Sequence, residues 1–178
     1  ERSVLSTLGN VKTIYVSPMQ RCLETEQLLF SAPEVKHASV IPVDELKECD
    51  FGAFEYKNYK ELDGCPEYQR FIDSGGTEGF PRGESVTAFK KRCRDTFLRL
   101  MIPHISEEMK AQKESSQETV VFVVHGGTIM SIMEAFAKPE ADYYSWHVKN
   151  AAGFLCRVET DPFHEGGFFL SGCVKMNF

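Results

Sequence analysis

Val120-Val121-Phe122-Val123-Val124-His125-Gly126-Gly127-Thr128 is the stretch on which the architecture turns. Its five successive apolar residues include four valines, whose branched side chains suit a pleated strand. A run with no polar alternation predicts a strand buried on both faces of a parallel sheet. The run ends at a histidine and two glycines, and Ile129 to Ala137 then has helical spacing. Strand, tight turn and helix in succession are the parts of an α/β sheet.

The same order recurs upstream. Thr13 to Val16 reads as a short strand, followed at once by Ser17-Pro18-Met19-Gln20. Ser17 suits an N-cap, Pro18 the first helical position, and Gln20 the far end of a capping box. The helix should reach Phe30 on an apolar face of Leu23, Leu28 and Leu29. Before it, Val4, Leu5 and Leu8 predict a helix over residues 1–8, ended at Gly9-Asn10. Val40 to Val43 is a further strand, Glu45 to Tyr56 an ordered loop, and Pro66 to Ile72 a short helix stopped by Ser74-Gly75-Gly76. Ser85 caps a long helix with Val86, Phe89, Cys93, Phe97, Leu100 and Met101 on one stripe, which Pro103 should kink or interrupt. Lys110 to Glu118 reads as a charged loop, and Phe154 to Val158 and Phe168 to Val174 as the last strands. The expected fold is α/β: a three-layer sandwich with a mostly parallel central sheet and helices on both faces. It should form a single domain over residues 1–178.

Composition narrows the function. The 178 residues are 42% hydrophobic and 26% charged, as in ordinary globular domains, so disorder is not expected. A formal charge of −6 opposes a general nucleic-acid or anionic-membrane binder, since both need a basic face. No apolar run approaches the length of a membrane span. The six cysteines form no C-x-x-C pair, and reduced thiols in a cytoplasmic protein are the expected state.

Chemistry should gather at the two strand-to-helix turns, because α/β sheets bind ligands at the carboxyl ends of their strands. Each turn offers helix N–H groups and a dipole that favour an anion. Arg21 follows the first turn and can fork two phosphate oxygens, while His125 opens the second. Together they outline a phosphate site. Spacing alone also allows Arg21 as a solvated helix arginine and His125 as a core histidine.

Four segments resemble motifs of the histidine phosphatase superfamily, the phosphoglycerate mutase-like fold. Ser17-Pro18-Met19-Gln20-Arg21-Cys22-Leu23-Glu24-Thr25 is similar to S-P-(M/L)-x-R-x-x-x-T. Glu45 to Glu55 resembles E-L-(R/K)-E-x-x-F-G-x-W-E, with Phe54 in the Trp position. Pro81-Arg82-Gly83-Glu84-Ser85 resembles P-G-G-E-S, with Arg82 for Gly, and Val123 to Ile129 matches V-x-H-G-G. All four occur in family order. Between Pro66 and Ser85 the chain is most similar to α-ribazole phosphatases and nearby bacterial phosphatases.

The resemblance implies that Arg21 clamps phosphate and Gly126 helps to bind it. Glu48 would be the general acid and base, with Asp44, Glu45 and Asp50 as close rivals, and His125 would stabilise the transferring phosphoryl group. Glu84 and Ser85 start a helix, and Glu84 can also shape the pocket. The family's nucleophilic R-H-G motif has no counterpart here: His37, His104, His147 and His164 all lack its neighbours. It is expected upstream of Glu1, on a first strand absent from this chain and lying between the strands that end at Val16 and Val124.

Two other enzymes are rejected. Cys93 to Arg99 has the C-x5-R spacing of cysteine phosphatases, but Cys93 sits on a helical stripe rather than in a phosphate loop. His125-Gly126-Gly127 resembles an esterase oxyanion turn, yet there is no G-x-S-x-G elbow. The expected activity is hydrolysis of a small phosphorylated metabolite, α-ribazole phosphate among the candidates, through a phosphohistidine. No metal or cofactor is needed, nucleic acid and membrane are not partners, and the oligomeric state is not encoded legibly. The alternatives are a phosphoglycerate mutase and a non-catalytic protein that binds phosphorylated ligands.

Overall fold

The computed structural model describes residues 8–31, 35, 37–75, 77–111 and 118–178. The helix expected over residues 1–8 therefore falls almost wholly outside the described residues, as does most of the charged loop before Glu118. Leu8 is helical and buried, and Gly9 turns the chain out of that helix with φ +65°.

Three strands form a parallel sheet in the order β2 (Ser39–Pro42), β1 (Asn10–Val16), β3 (Glu118–Val123). Side chains alternate across it. On one face Ile14, Val16 and Val123 pack with Cys22 and Phe30 of α1 (Gln20–Phe30). On the other, Tyr15, Val120 and Phe122 meet Leu100 of α3 (Val86–Ala111). Phe97 and Met101 of α3 join Ile132, Met133 and Phe136 of α4 (Gly126–Phe136) in a further core. Helix, sheet and helix are the three expected layers. The short α2 (Pro66–Asp73) has no buried residue.

Several expectations change. β1 pairs directly with β3, from Asn10 opposite Glu118 to Val16 opposite Val123, so no further strand lies between them. Among the described residues β3 pairs only with β1, and its residues before Val123 are half-buried rather than covered on both faces. The last two strands are longer than expected: β4 (Ala152–Thr160) and β5 (Phe168–Asn177) form a separate antiparallel hairpin. Its apolar residues still serve both faces, with Leu155 against the α1 core and Phe154 and Cys156 against that of α3 and α4. A single parallel bridge, Ala137 to Leu170, ties it to the end of α4.

Leu28 is 82% exposed, while α1 buries Cys22 and Phe30. Pro103 does not interrupt α3, which runs on to Ala111. Arg99, four residues before it, is exposed like Pro103, so the carbonyl that loses its N–H partner can meet water. Ser85 caps α3 as expected, its hydroxyl accepting from the Ala88 N–H at 3.1 Å. All six cysteines are free thiols, and no described helix is long and apolar enough to cross a membrane.

Between β2 and α3 the chain crosses itself at Gly52 and Gly83. Ala53 N–H donates to Pro81 O at 2.8 Å, and Glu84 N–H donates to Asp50 O at 2.8 Å. A Cβ on Gly52 would meet Pro81 O at 2.3 Å, with φ +53° at that residue. Backbone on backbone leaves no flexible atom to yield. Gly52→Ala should therefore lose roughly 2–4 kcal/mol of stability from overlap and left-handed strain. Gly64→Ala, at φ +75° with open space around it, should lose only about 1 kcal/mol. Urea unfolding of both variants decides the point, and equal losses would show that the crossing is not tight.

Candidate functional site

β1 and β3 end at the same level, and the Ser17 N–H extends their pairing by donating to Val123 O at 3.0 Å. Just beyond the strands, one residue past β1 and two past β3, the two turns meet. Ser17 Oγ lies 2.8 Å from His125 Nε2, with both residues buried. Arg21, in the first turn of α1, donates from Nε to His125 Nδ1 at 3.1 Å. Arginine can only donate, so Nδ1 is the unprotonated nitrogen and Nε2–H is given to Ser17 Oγ. Cys22 Sγ closes the other side, 3.6 Å from Nε2 and 3.7 Å from Nδ1.

This surrounding keeps His125 neutral. Burial, then the Arg21 charge, then that of Arg92 depress its pKa from 6.5 to about 4. Arg21 is exposed beyond its Nε contact, and no carboxylate pairs with it among the described residues. Its outer nitrogens remain available to an anion. Beside them α4 begins at Gly126, with His125 as its extended cap residue, so the unpaired N–H groups of a helix start face the same turn.

Glu48 arrives from the opposite side, on the loop after the 3-10 turn Asp44–Leu46. Its Oε1 accepts from the Cys49 N–H at 3.0 Å. A Cβ on Gly127 would stand 2.6 Å from that oxygen and 3.1 Å from the Phe89 ring. Gly127 thus leaves room for the carboxylate at the start of α4. The rivals are engaged locally: Asp50 accepts from the Gly52 N–H, Glu45 pairs with Arg99, and Asp44 with Lys47, although Asp44 and Asp50 line the same cavity as Glu48. Tyr143 lies on the far side of Gly127, its hydroxyl donating to Gly127 O at 3.4 Å. Burial first of all, with Ser131 and the charge of Glu48 also acting, sets its pKa at about 12.

The structure brings Arg21, His125, Gly126 and Glu48 around the start of one helix, from segments as much as 104 residues apart. Two of the other histidines are engaged elsewhere: His104 hydrogen-bonds Tyr15, and His164 packs by Phe136 and Phe169. Ser17 differs from its expected role, because Met19 is the cap residue of α1 and the Ser17 hydroxyl serves His125. Sequence reasoning missed Phe89, Tyr143 and Arg92, whose partners are too distant in sequence to leave a local signal. Cys93 is fully buried in α3, as its place on the stripe implied. Among the described residues no three His, Cys, Asp or Glu side chains form a group able to hold a metal ion.

This arrangement has known parallels, although no curated protein matches the chain. A putative alpha-ribazole-5'-P phosphatase from Escherichia coli K-12 superposes with a TM-score of 0.60 at 19% identity, over 89% of this chain and 70% of its own. The mycobacterial glucosyl-3-phosphoglycerate phosphatase gives a TM-score of 0.67 at 19% identity, over 98% and 80%. Phosphoglycerate mutase from Thermus thermophilus gives 0.53 at 19%, over 97% and 77%. At such identities the likeness is one of fold, phosphoglycerate mutase-like in type. Residues 3–165 match the family model of the histidine phosphatase superfamily, branch 1, and the chain belongs to that superfamily.

Proposed function

We propose that the protein hydrolyses phosphomonoesters of small metabolites at the turn shared by Ser17, Arg21, Glu48 and His125. One observation carries the reading: a guanidinium held by a buried neutral imidazole, with a carboxylate facing the same helix start. Anion clamp and proton donor are what a phosphoryl-transfer site requires of its protein.

Arg21 and the N–H groups at Gly126 hold the phosphoryl oxygens. A nucleophilic histidine, proposed to come from an R-H-G segment upstream of Glu1, forms an N–P bond in line as the ester P–O bond breaks. Glu48 gives its proton to the departing oxygen. It then takes one from water, whose oxygen attacks phosphorus as the N–P bond breaks and phosphate leaves. A bound dianion offsets the Arg21 charge that depresses His125. The imidazole can then take up a proton at Nδ1 and donate it in a hydrogen bond to the phosphoryl group, while Arg21, released from Nδ1, is held by the phosphoryl oxygens instead. For the metabolite, an aromatic cavity of about 440 Å³ lined by Phe54, Tyr56, Tyr59 and Tyr68 offers rings on which a planar base can stack, and the base of α-ribazole phosphate is one such group. A phosphoglycerate mutase would instead return the phosphoryl group to its substrate, which product analysis with phosphoglycerate reveals.

Three measurements test this reading. Arg21→Ala should weaken orthovanadate binding by about 2 kcal/mol, roughly thirtyfold, with the fold retained. Unchanged affinity in a calorimetric titration removes Arg21 from the site. In the full-length protein, Glu48→Gln should lower turnover of an alkyl phosphate by about 10²–10⁴-fold. The loss should be smaller for p-nitrophenyl phosphate, whose leaving oxygen hardly needs a proton, and equal losses would exclude Glu48 as the acid. The third concerns pH. His125 binds its proton less readily folded than unfolded, so stability is complete above pH 6.5 and declines as pH falls towards 4. Between pH 7 and 4.5 the decline attributable to His125 should be about 2 kcal/mol and be absent in His125→Asn, read from the unfolding free energies that urea titrations give at the two pH values.

A further inference from the structure

Arg92 sits on α3, and the hydrogen bonds of its guanidinium go to groups outside that helix. Nε and Nη2 grip the two oxygens of Glu84 at 3.0 and 2.7 Å. Nη1 donates to the carbonyls of Glu45 and Lys47 at 2.6 and 3.0 Å, and Nη2 reaches Glu48 O at 3.4 Å. The chain from Glu45 to Glu48 is thus pinned by its own carbonyls to a single side chain. Glu84 lies just before the Ser85 cap of α3 and is itself held by its N–H to Asp50 O. The guanidinium also lies 5.2 Å from the centre of the Phe89 ring, the ring that flanks the Glu48 carboxylate at Gly127. Arg92, Glu84 and Glu48 line one cavity of about 560 Å³.

A fork of this kind does more than add stability. The Arg92 side chain is about a quarter exposed, and its bonds to Glu84 and to Glu48 O are partly shielded from water. The Glu48 side chain hangs from the last residue that the fork holds. A shift of that backbone by an ångström moves the carboxylate by as much, and proton transfer in a site is sensitive to displacements of that size.

We propose that Arg92, steadied by Glu84, is a positioning residue that fixes the Glu48 carboxylate against the start of α4. The inference rests on Glu48 being the general acid and base, and it touches neither the phosphate clamp nor the attacking group. Lysine can keep the charge but cannot reproduce the fork.

The test uses Arg92→Lys in the full-length protein, with an alkyl phosphate and p-nitrophenyl phosphate as substrates. Turnover of the alkyl phosphate should fall at least about tenfold more than that of p-nitrophenyl phosphate, while orthovanadate affinity stays within about twofold. In the Glu48→Gln background, Arg92→Lys should add less than about twofold, because the group it positions is already disabled. Equal losses on the two substrates, or full additivity with Glu48→Gln, would overturn the inference and leave Arg92 a stabilising residue. If Arg92→Lys fails to fold, Glu84→Gln loosens the same fork and is held to the same comparison. The underlying reading fails separately: there Glu48→Gln itself shows no dependence on the leaving group.

Discussion

The parallel pairing of β1 with β3 is the constraint from which the site follows. Because Val16 stands opposite Val123, the two chains leave the sheet side by side, and Ser17 and His125 emerge within hydrogen-bonding distance. A shift of one residue would turn one strand's side chains to the opposite face relative to the other's, and Ser17 and His125 would no longer meet. In the observed register, Ser17 takes the Nε2 proton, and the remaining lone pair on Nδ1 holds Arg21. The positive charge offered to a ligand is therefore arranged by a neutral imidazole. With no anion bound, a protonated His125 would have no lone pair for Arg21 and would repel it, so the low proton affinity of the ring and the orientation of Arg21 are one fact.

Glu48 obeys a different part of the molecule. Its loop packs on the sheet through Leu46, is anchored to α3 through Arg92 and is closed on itself at Gly52 and Gly83. Arg21 and the Glu48 carboxylate thus approach the start of α4 from different segments. Gly127 leaves the space that Glu48 occupies beside the Phe89 ring, and a side chain there would displace the carboxylate.

Much of this was legible in the sequence where the information is local. Strand and helix periods located β1, α1, α3 and α4, and the turn residues at Ser85 and at His125-Gly126-Gly127 marked real helix starts. The four motifs identified the family and chose Arg21, Glu48, Gly126 and His125. Non-local relations were not legible. The valine run suggested cover on both faces, but its hydrophobicity could not say which strand lies beside it. Ser17 has the chemistry of a cap, and only its meeting with a residue 108 positions away gives it another partner. Leu28 fits an apolar tally of α1 yet points roughly 120–160° away from Cys22 and Phe30, a matter of helix phase rather than composition. Arg92 looked like any helix arginine because its acceptors are mainly backbone carbonyls 44–47 residues away, which leave no mark on residue type.

The crossing at Gly52 and Gly83 has a consequence for how such proteins diversify. The residues between it, including α2 and the aromatic cavity, leave and return at one point that is closed by main-chain bonds. An excursion built this way resembles a cassette: its length and side chains can be exchanged at little conformational cost to the residues on which Glu48 and Arg92 sit. Lengthening a closed loop is thermodynamically mild, each doubling costing only about 0.6 kcal/mol. Under the proposed reaction, new leaving groups are accommodated by redrawing one segment, while Glu48 and Arg92 keep their places.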